Sequence, residues 1–297
     1  MNLLITGAWK PTVDKINALS SMGYAITEMP DERNELPCAP ENIDAVICNG
    51  LFLYHPIEKF TNLKLIQLTS AGMDRVPVDY VKAHNITLYN AAGVYSIPMA
   101  EYAVNAVMQF YKHNAFFVDN QKEKNWIKKR DIKELYGKNV CIFGCGNVGT
   151  ECAKRFKAFG CKILGVDVSP RKNQWFDIYY STDKIHDALI EADVVIISLP
   201  LTEETRHLFD YDLLSLLKDE CVLINISRGA VIDTSALIHA LETRPVFAAL
   251  DVFEQEPLEA DSPLWAMENV IITPHNSFAG EGNGERLWEV INNNLGK

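Results

Sequence analysis

The sequence predicts an α/β protein built from doubly wound parallel sheets. Three observations carry that prediction. Short apolar runs alternate with polar, helix-like segments. Several of those runs are apolar at every position. One of them leads straight into a glycine-rich turn that opens a helix. Alternating strands and helices imply a parallel sheet covered on both faces, and strands such as Val194-Val195-Ile196-Ile197 suit the centre of such a sheet.

The elements follow in order. In the first third, strands are expected at 3–5, 24–27, 45–48, 65–68 and 87–89, with helices over about 11–22 and 78–84. Residues 97–118 contain few breakers, and Ala100, Ala103, Val104, Val107, Met108 and Tyr111 recur at helical spacing, which predicts one long, buried helix. Residues 122–133 are charged around Lys128-Lys129-Arg130 and read as a solvated connector. Further strands are expected at 139–143, 162–166, 194–198, 222–226, 247–250 and 270–273. Helices are expected at 148–159, 184–191, 211–217 and 235–242, with a last one over 284–295.

Composition bounds the function. The chain has 297 residues, 48% of them apolar and 23% charged, enough for one large or two medium domains. With 28 basic and 39 acidic residues the formal charge is −11, which argues against nucleic acid and against an anionic membrane surface as partners. The seven cysteines are odd in number, lack C-x-x-C spacing and in several cases lie in apolar runs. They read as free thiols in a reducing cytoplasm, not as a disulfide scaffold. The N-terminus reads as a strand and not a signal peptide, and no apolar stretch is long enough to span a bilayer. No His, Cys or acidic cluster has metal-ligand spacing.

Gly144-Cys145-Gly146-Asn147-Val148-Gly149 fits G-x-G-x-x-G between an expected strand and an expected helix. The first glycine allows a tight turn, the second lets backbone approach a pyrophosphate, and the third lets helix and strand pack closely. The pyrophosphate would sit on the helix N-terminus. Asp167 ends the next strand, 23 residues after Gly144. A carboxylate there accepts from ribose hydroxyls and repels a 2′-phosphate, so NAD is favoured over NADP. Arg171 is near enough in sequence to contact a phosphate and blurs that preference.

Beyond the later strand ends lie Ser227-Arg228-Gly229, then Asp251 to Glu256-Pro257, then Thr273-Pro274-His275. An Arg at a strand's carboxyl end faces the cleft where α/β proteins bind ligands, and it can hold a carboxylate in a bidentate manner. One Arg, two acids and one His at a single edge of a dinucleotide-binding sheet form a candidate catalytic set.

Together these motifs resemble the D-isomer-specific 2-hydroxyacid dehydrogenase family. The resemblance covers nearly the whole chain. It also includes Ser70-Ala71-Gly72-Met73-Asp74, Ala100-Glu101, Trp126 and Leu199-Pro200-Leu201-Thr202 with Thr205-Arg206. It implies a Rossmann cofactor domain, 94–275, inserted into a flavodoxin-like substrate domain, 1–93 plus 276–297, with closure about the two crossings and a homodimer formed through the long helix. It further implies that His275 is the acid–base, that Glu256 hydrogen-bonds His275 and keeps its proton available, and that Arg228 binds the substrate carboxylate. Ala71 and Gly72 would hold that carboxylate by their N–H groups. The cofactor would be held by Gly144, Gly146, Asn147, Val148, Gly149 and Asp167, with Leu199, Pro200, Ile226 and Ser227, and Asp251 would contact the nicotinamide carboxamide.

The expected reaction is therefore NAD-dependent interconversion of a small 2-oxo acid and a D-2-hydroxy acid. Phosphoglycerate members of the family carry an Arg or Lys near the third strand's end, but residues 48–55 have neither. Leu51, Phe52, Leu53 and Tyr54 suggest an apolar pocket wall instead, with Arg75 the one nearby cation that weakens the inference. The 22 residues after His275 leave no room for a regulatory domain. Phosphoglycerate dehydrogenase activity and an NAD-sensing corepressor-like binding protein are the alternatives. Glu256 disfavours formate dehydrogenase, whose family members carry Gln there.

Overall fold

The computed structural model describes residues 1–169 and 173–296. The chain forms β1 (Asn2–Thr6), α1 (Val13–Ser21), β2 (Ala25–Met29), β3 (Ala45–Cys48), β4 (Leu65–Leu68), α2 (Val78–Ala83) and β5 (Thr87–Tyr89). Then follow α3 (Ser96–Tyr111), α4 (Asn114–Lys122), β6 (Asn139–Phe143), α5 (Asn147–Ala158), β7 (Lys162–Val166) and β8 (Ile178–Tyr180). Next come α6 (Ile185–Glu191), β9 (Val194–Ile197), α7 (Tyr211–Ser215), β10 (Val222–Asn225), α8 (Thr234–Thr243), β11 (Phe247–Leu250), β12 (Val270–Ile272) and α9 (Asn283–Leu295). Two compact units result. One is Met1–Tyr95 with the chain from Gly280 onward, and the other is Ser96–Ala279.

In the first unit the strands run parallel in the order β2-β1-β3-β4-β5, the flavodoxin-like order. Helix α9 belongs to this unit. It buries Leu287, Ile291 and Leu295 in a cluster with Leu3, Ile5 and Leu19, and Trp288 stacks on Trp9 at 5.9 Å.

In the second unit all neighbours are again parallel, in the order β12-β11-β10-β9-β6-β7-β8. Strands β9 and β10 are buried at every position. The period of two sorts their side chains to opposite faces. Cys141, Phe143, Val195, Ile197 and Leu223 pack with residues of α6, α7 and α8. Val140, Ile142, Val194, Ile196 and Ile224 pack with Ala103 and Val107 of α3 and Cys152 and Phe156 of α5. The fold is thus α/β with two doubly wound parallel sheets.

Two expectations are corrected. The single helix over 97–118 is two helices, because His113 takes a left-handed conformation at φ 49°. The Tyr111 carbonyl, which would accept from residue 115 in an unbroken helix, instead accepts the Lys133 N–H at 3.1 Å, and Lys112 Nζ donates to Lys133 O at 2.6 Å. The returning connector ends the helix. The edge strand β8 was not expected: three residues show no alternation, and only pairing with β7 defines it. The seven cysteines are free, and Cys48, Cys141, Cys152 and Cys221 are buried. Among the described residues no helix is long and apolar enough to cross a membrane.

Candidate active site

Strand order in the second unit reverses between β6 and β9. Ligands of open α/β sheets bind outside the carboxyl ends of the strands at such a reversal. Each expected residue of this unit stands there: 144–149 after β6, Asp167 after β7, Leu199 and Pro200 after β9, 226–228 after β10, 251–256 after β11 and His275 after β12.

The three glycines of the turn have separate reasons. Gly144 has φ +91°, and a Cβ there would lie 2.8 Å from Ser198 O. A Cβ on Gly149 would lie 2.0 Å from Gly144 O. At Gly146 a Cβ would meet nothing within 4 Å. Gly144 and Gly149 therefore serve packing inside the protein, while the bare backbone at Gly146 faces open space at the start of the twelve-residue helix α5. A pyrophosphate-bearing dinucleotide fits those residues: the helix N-terminus offers N–H groups and a favourable dipole, and nothing obstructs close approach. Ser198 Oγ lies 2.9 Å from Gly144 O and braces the turn. Asp167 accepts the Cys145 N–H at 2.8 Å and the Ser169 N–H at 3.1 Å, which fixes its carboxylate at the end of β7. Burial, then the Asp167 carboxylate, pushes the Cys145 thiol up to about 12, so it stays neutral beside the turn.

The loop after β10 is organised by one buried amide. Asn225 Oδ1 accepts the Ser227 N–H at 3.1 Å and the Ser227 hydroxyl at 2.9 Å, and its Nδ2 donates to Arg228 O at 3.0 Å. Ile226 and Ser227 are consequently turned inward and buried. Arg228 is half-buried and donates from Nη1 to Ser227 O at 2.8 Å. Gly229 lies so close to the next loop that a Cβ would sit 1.8 Å from the Phe253 carbonyl carbon.

His275 Nδ1 is 2.8 Å from Glu256 Oε2, and the two side chains are 38% and 37% exposed. The other Glu256 oxygen accepts the Phe253 N–H at 3.1 Å. A half-open imidazole oriented through one nitrogen by a carboxylate leaves the other nitrogen for a ligand, the geometry of a general acid–base. Asp251 is placed differently from its expected neighbours. It is 1% exposed, and its carboxylate accepts Thr273 Oγ1 at 2.6 Å, the Asn276 N–H at 2.7 Å and the Ser277 N–H at 3.0 Å. Its oxygens face the loop that carries His275.

Sequence reading passed over Glu254. It accepts the Thr234 N–H at 2.9 Å, the Thr234 hydroxyl and His207 Nε2 at 2.5 Å. Burial raises its carboxyl, but the Thr234 and His207 hydrogen bonds outweigh that and hold it below the usual range. Two loops and the start of α8 meet at this one side chain. No local pattern announces it, because His207 and Glu254 are 47 residues apart.

In the first unit, Ala71 and Gly72 lie on the loop after β4. Their carbonyls accept Asn90 Nδ2 at 2.7 Å and Ser70 Oγ at 2.9 Å, while their N–H groups have no partner among the described residues. The expected apolar wall divides. Leu51 is buried in its own domain and Phe52 packs edge-on to Phe60, so neither faces a ligand. Leu53 and Tyr54 are exposed and line a cleft of about 460 Å³ at the ends of β1, β2 and β3. Arg75 and Arg33 line it too. The cation missing from 48–55 is thus brought there by the fold. His55 Nε2 is 2.9 Å from Glu32 O and serves the loop itself. Arg171 lies outside the described residues.

Residues 104–277 match the family model for the D-isomer specific 2-hydroxyacid dehydrogenase NAD-binding domain. The chain is 35% identical over 223 residues to a hydroxypyruvate reductase of Thermotoga maritima, covering 74% of this chain and 72% of that protein. It is 32% identical over 277 residues to a glyoxylate reductase of Thermofilum pendens, covering 90% and 82%. Among solved structures, the D-lactate dehydrogenase of Aquifex aeolicus, complexed with NAD and lactic acid, superposes with a TM-score of 0.81 at 25% identity, covering 99% of this chain and 94% of that one.

Proposed function

The chain belongs to the D-isomer specific 2-hydroxyacid dehydrogenase family, and from that premise we propose that it is an NAD-dependent oxidoreductase interconverting a 2-oxo acid and its D-2-hydroxy acid. The observation that carries the reading is the half-open His275–Glu256 pair at 2.8 Å on the sheet edge that also holds Arg228.

The cofactor, when bound, supplies the hydride acceptor for oxidation and the hydride donor for reduction. The N-terminus of α5 with Gly146 would hold its pyrophosphate and Asp167 its adenosine ribose, which favours NAD over NADP. Arg228 pairs with the substrate carboxylate. With Nδ1–H given to Glu256, His275 Nε2 is the atom that handles the proton. In reduction it protonates the carbonyl oxygen, and in oxidation it takes the hydroxyl proton.

The protein works as a homodimer in the cytoplasm. Support for the dimer is the exposed apolar surface on α4 and the connector after it, where Phe117, Val118 and Ile127 accompany Trp126 at 94% exposure. Seven free thiols suit a reducing compartment.

The test is oxidation of NADH and of NADPH with glyoxylate, hydroxypyruvate, pyruvate, branched and aromatic 2-oxo acids and phosphohydroxypyruvate. Turnover of at least one acid is expected. His275→Ala should lose roughly 10²–10⁴-fold in kcat while still binding NADH. No turnover with either cofactor sinks the function, and full activity in His275→Ala sinks the residue assignment.

A further inference from the structure

We propose that Tyr102 of α3 is a positioning residue for His275, acting through a hydroxyl relay, Tyr102 to Thr273 to Asp251, that sets the loop on which His275 stands. The proposal rests on the reading of His275 as the acid–base.

Thr273 Oγ1 lies 2.6 Å from Asp251 Oδ1 and 3.0 Å from the Tyr102 hydroxyl oxygen. A threonine hydroxyl has one proton, and a carboxylate can only accept. The shorter contact has the length of a charge-assisted bond, so the threonine proton belongs to Asp251. Thr273 must then accept from Tyr102, and the relay has one direction: phenol to hydroxyl to carboxylate. Burial, with a smaller push from the Asp251 carboxylate, outweighs the opposing Thr273 hydrogen bond and holds the Tyr102 phenol above its ordinary value, so it keeps the proton it donates.

At its far end the relay meets the backbone of 275–277. The Asp251 carboxylate takes the N–H groups of Asn276 and Ser277, and its own carbonyl takes the His275 N–H at 2.7 Å. One buried residue therefore fixes three consecutive amides. They need fixing, because His275 stands at φ +50°, a left-handed conformation that a residue with a Cβ holds only when its surroundings over-determine it. With its carboxylate turned to these groups, Asp251 acts on the reaction through the loop. The phenol that orients it comes from a helix more than 140 residues earlier in the chain.

The test uses Tyr102→Phe, Thr273→Val and Thr273→Ser. Loss of one neutral hydrogen bond predicts a kcat about 3–10-fold lower in Tyr102→Phe, with KM for NADH and the oxo acid within about twofold. Thr273→Val, which leaves Asp251 a buried acceptor short of a donor, should lose roughly 10²-fold in kcat. Thr273→Ser keeps the relay and should recover most of that loss. A second readout needs no cofactor. The His275 Nδ1–H proton resonance, sheltered by Glu256 in the wild type, should broaden by solvent exchange in Tyr102→Phe and Thr273→Val and persist in Thr273→Ser. Wild-type kcat and an unchanged resonance in Tyr102→Phe overturn the proposal, even where Thr273→Val fails to fold. A loss in Thr273→Ser equal to that in Thr273→Val also overturns it. Failure of the reading of His275 as the acid–base would appear elsewhere, as turnover surviving in His275→Ala.

Discussion

Replacing Gly229 by alanine should cripple turnover without touching any residue proposed to meet the substrate. The added Cβ would lie 1.8 Å from the carbonyl carbon of Phe253, 2.0 Å from its oxygen and 2.3 Å from the Glu254 nitrogen. Carbon atoms in ordinary contact stand near 3.5 Å or more, so the 253–254 peptide must retreat by roughly 1.5 Å. It is backbone and cannot rotate away. Its far side is also tied, because Glu254 is bonded to Thr234 and His207. Overpacking of this kind costs about 1–3 kcal/mol. At roughly 2–4 °C per kcal/mol for a unit of this size, Tm should fall by about 2–12 °C. The Phe253 N–H holds Glu256, and Glu256 holds His275. A displacement near 1 Å in such a chain costs on the order of 10²-fold in rate. Steady-state kinetics and a melting curve measure both quantities. A variant with wild-type kcat and wild-type Tm would refute the claim that Gly229 sets the distance between the Arg228 and Glu256 loops.

Two further outcomes separate binding from folding. Gly146→Val places its side chain in open space, so Tm should stay within about 2 °C while NADH affinity, followed by fluorescence titration, falls at least tenfold, or about 1.4 kcal/mol. A variant that binds NADH normally would remove Gly146 from the cofactor site. Glu254 in the folded protein titrates below its ordinary value of 4.5. Its contribution to stability is therefore present above that value and lost as pH falls through the folded one. Glu254→Gln should lower Tm at pH 7, and the gap from wild type should close as pH falls through the depressed folded-state value. A gap independent of pH would mean the carboxylate's charge is not what holds the two loops to α8.

The inner strands of the second sheet were legible because they are almost wholly buried. Burial writes apolar runs into β6, β7, β9, β10 and β11, and these strands, with the half-buried three-residue edge strand β12, fall within a residue or two of their expected limits. Glycines at 144 and 149 stand where a Cβ would collide with backbone, and Gly146 faces open space. The residues that support the site were not legible. Glu254 and His207 come from two loops to meet Thr234 at the start of α8, and Tyr102 reaches Thr273 across 171 residues of chain. Long-range polar pairs leave no periodic mark.

The chain by itself determined its fold class, its dinucleotide turn and the order of Arg228, Glu256 and His275 beyond successive strands, because periodicity and strand-end position are local properties. Tertiary structure alone decided what those residues touch. It split the long helix by giving the Tyr111 carbonyl to Lys133. It buried Leu51 and Phe52, left Leu53 and Tyr54 facing the cleft, and brought Arg75 beside them, although residues 48–55 contain no Arg or Lys. It turned the Asp251 carboxylate onto the His275 loop. The physical reason is the same in each case. A hydrogen bond or a charge acts over a few ångströms of space, and distance in space is fixed only when the whole chain has folded.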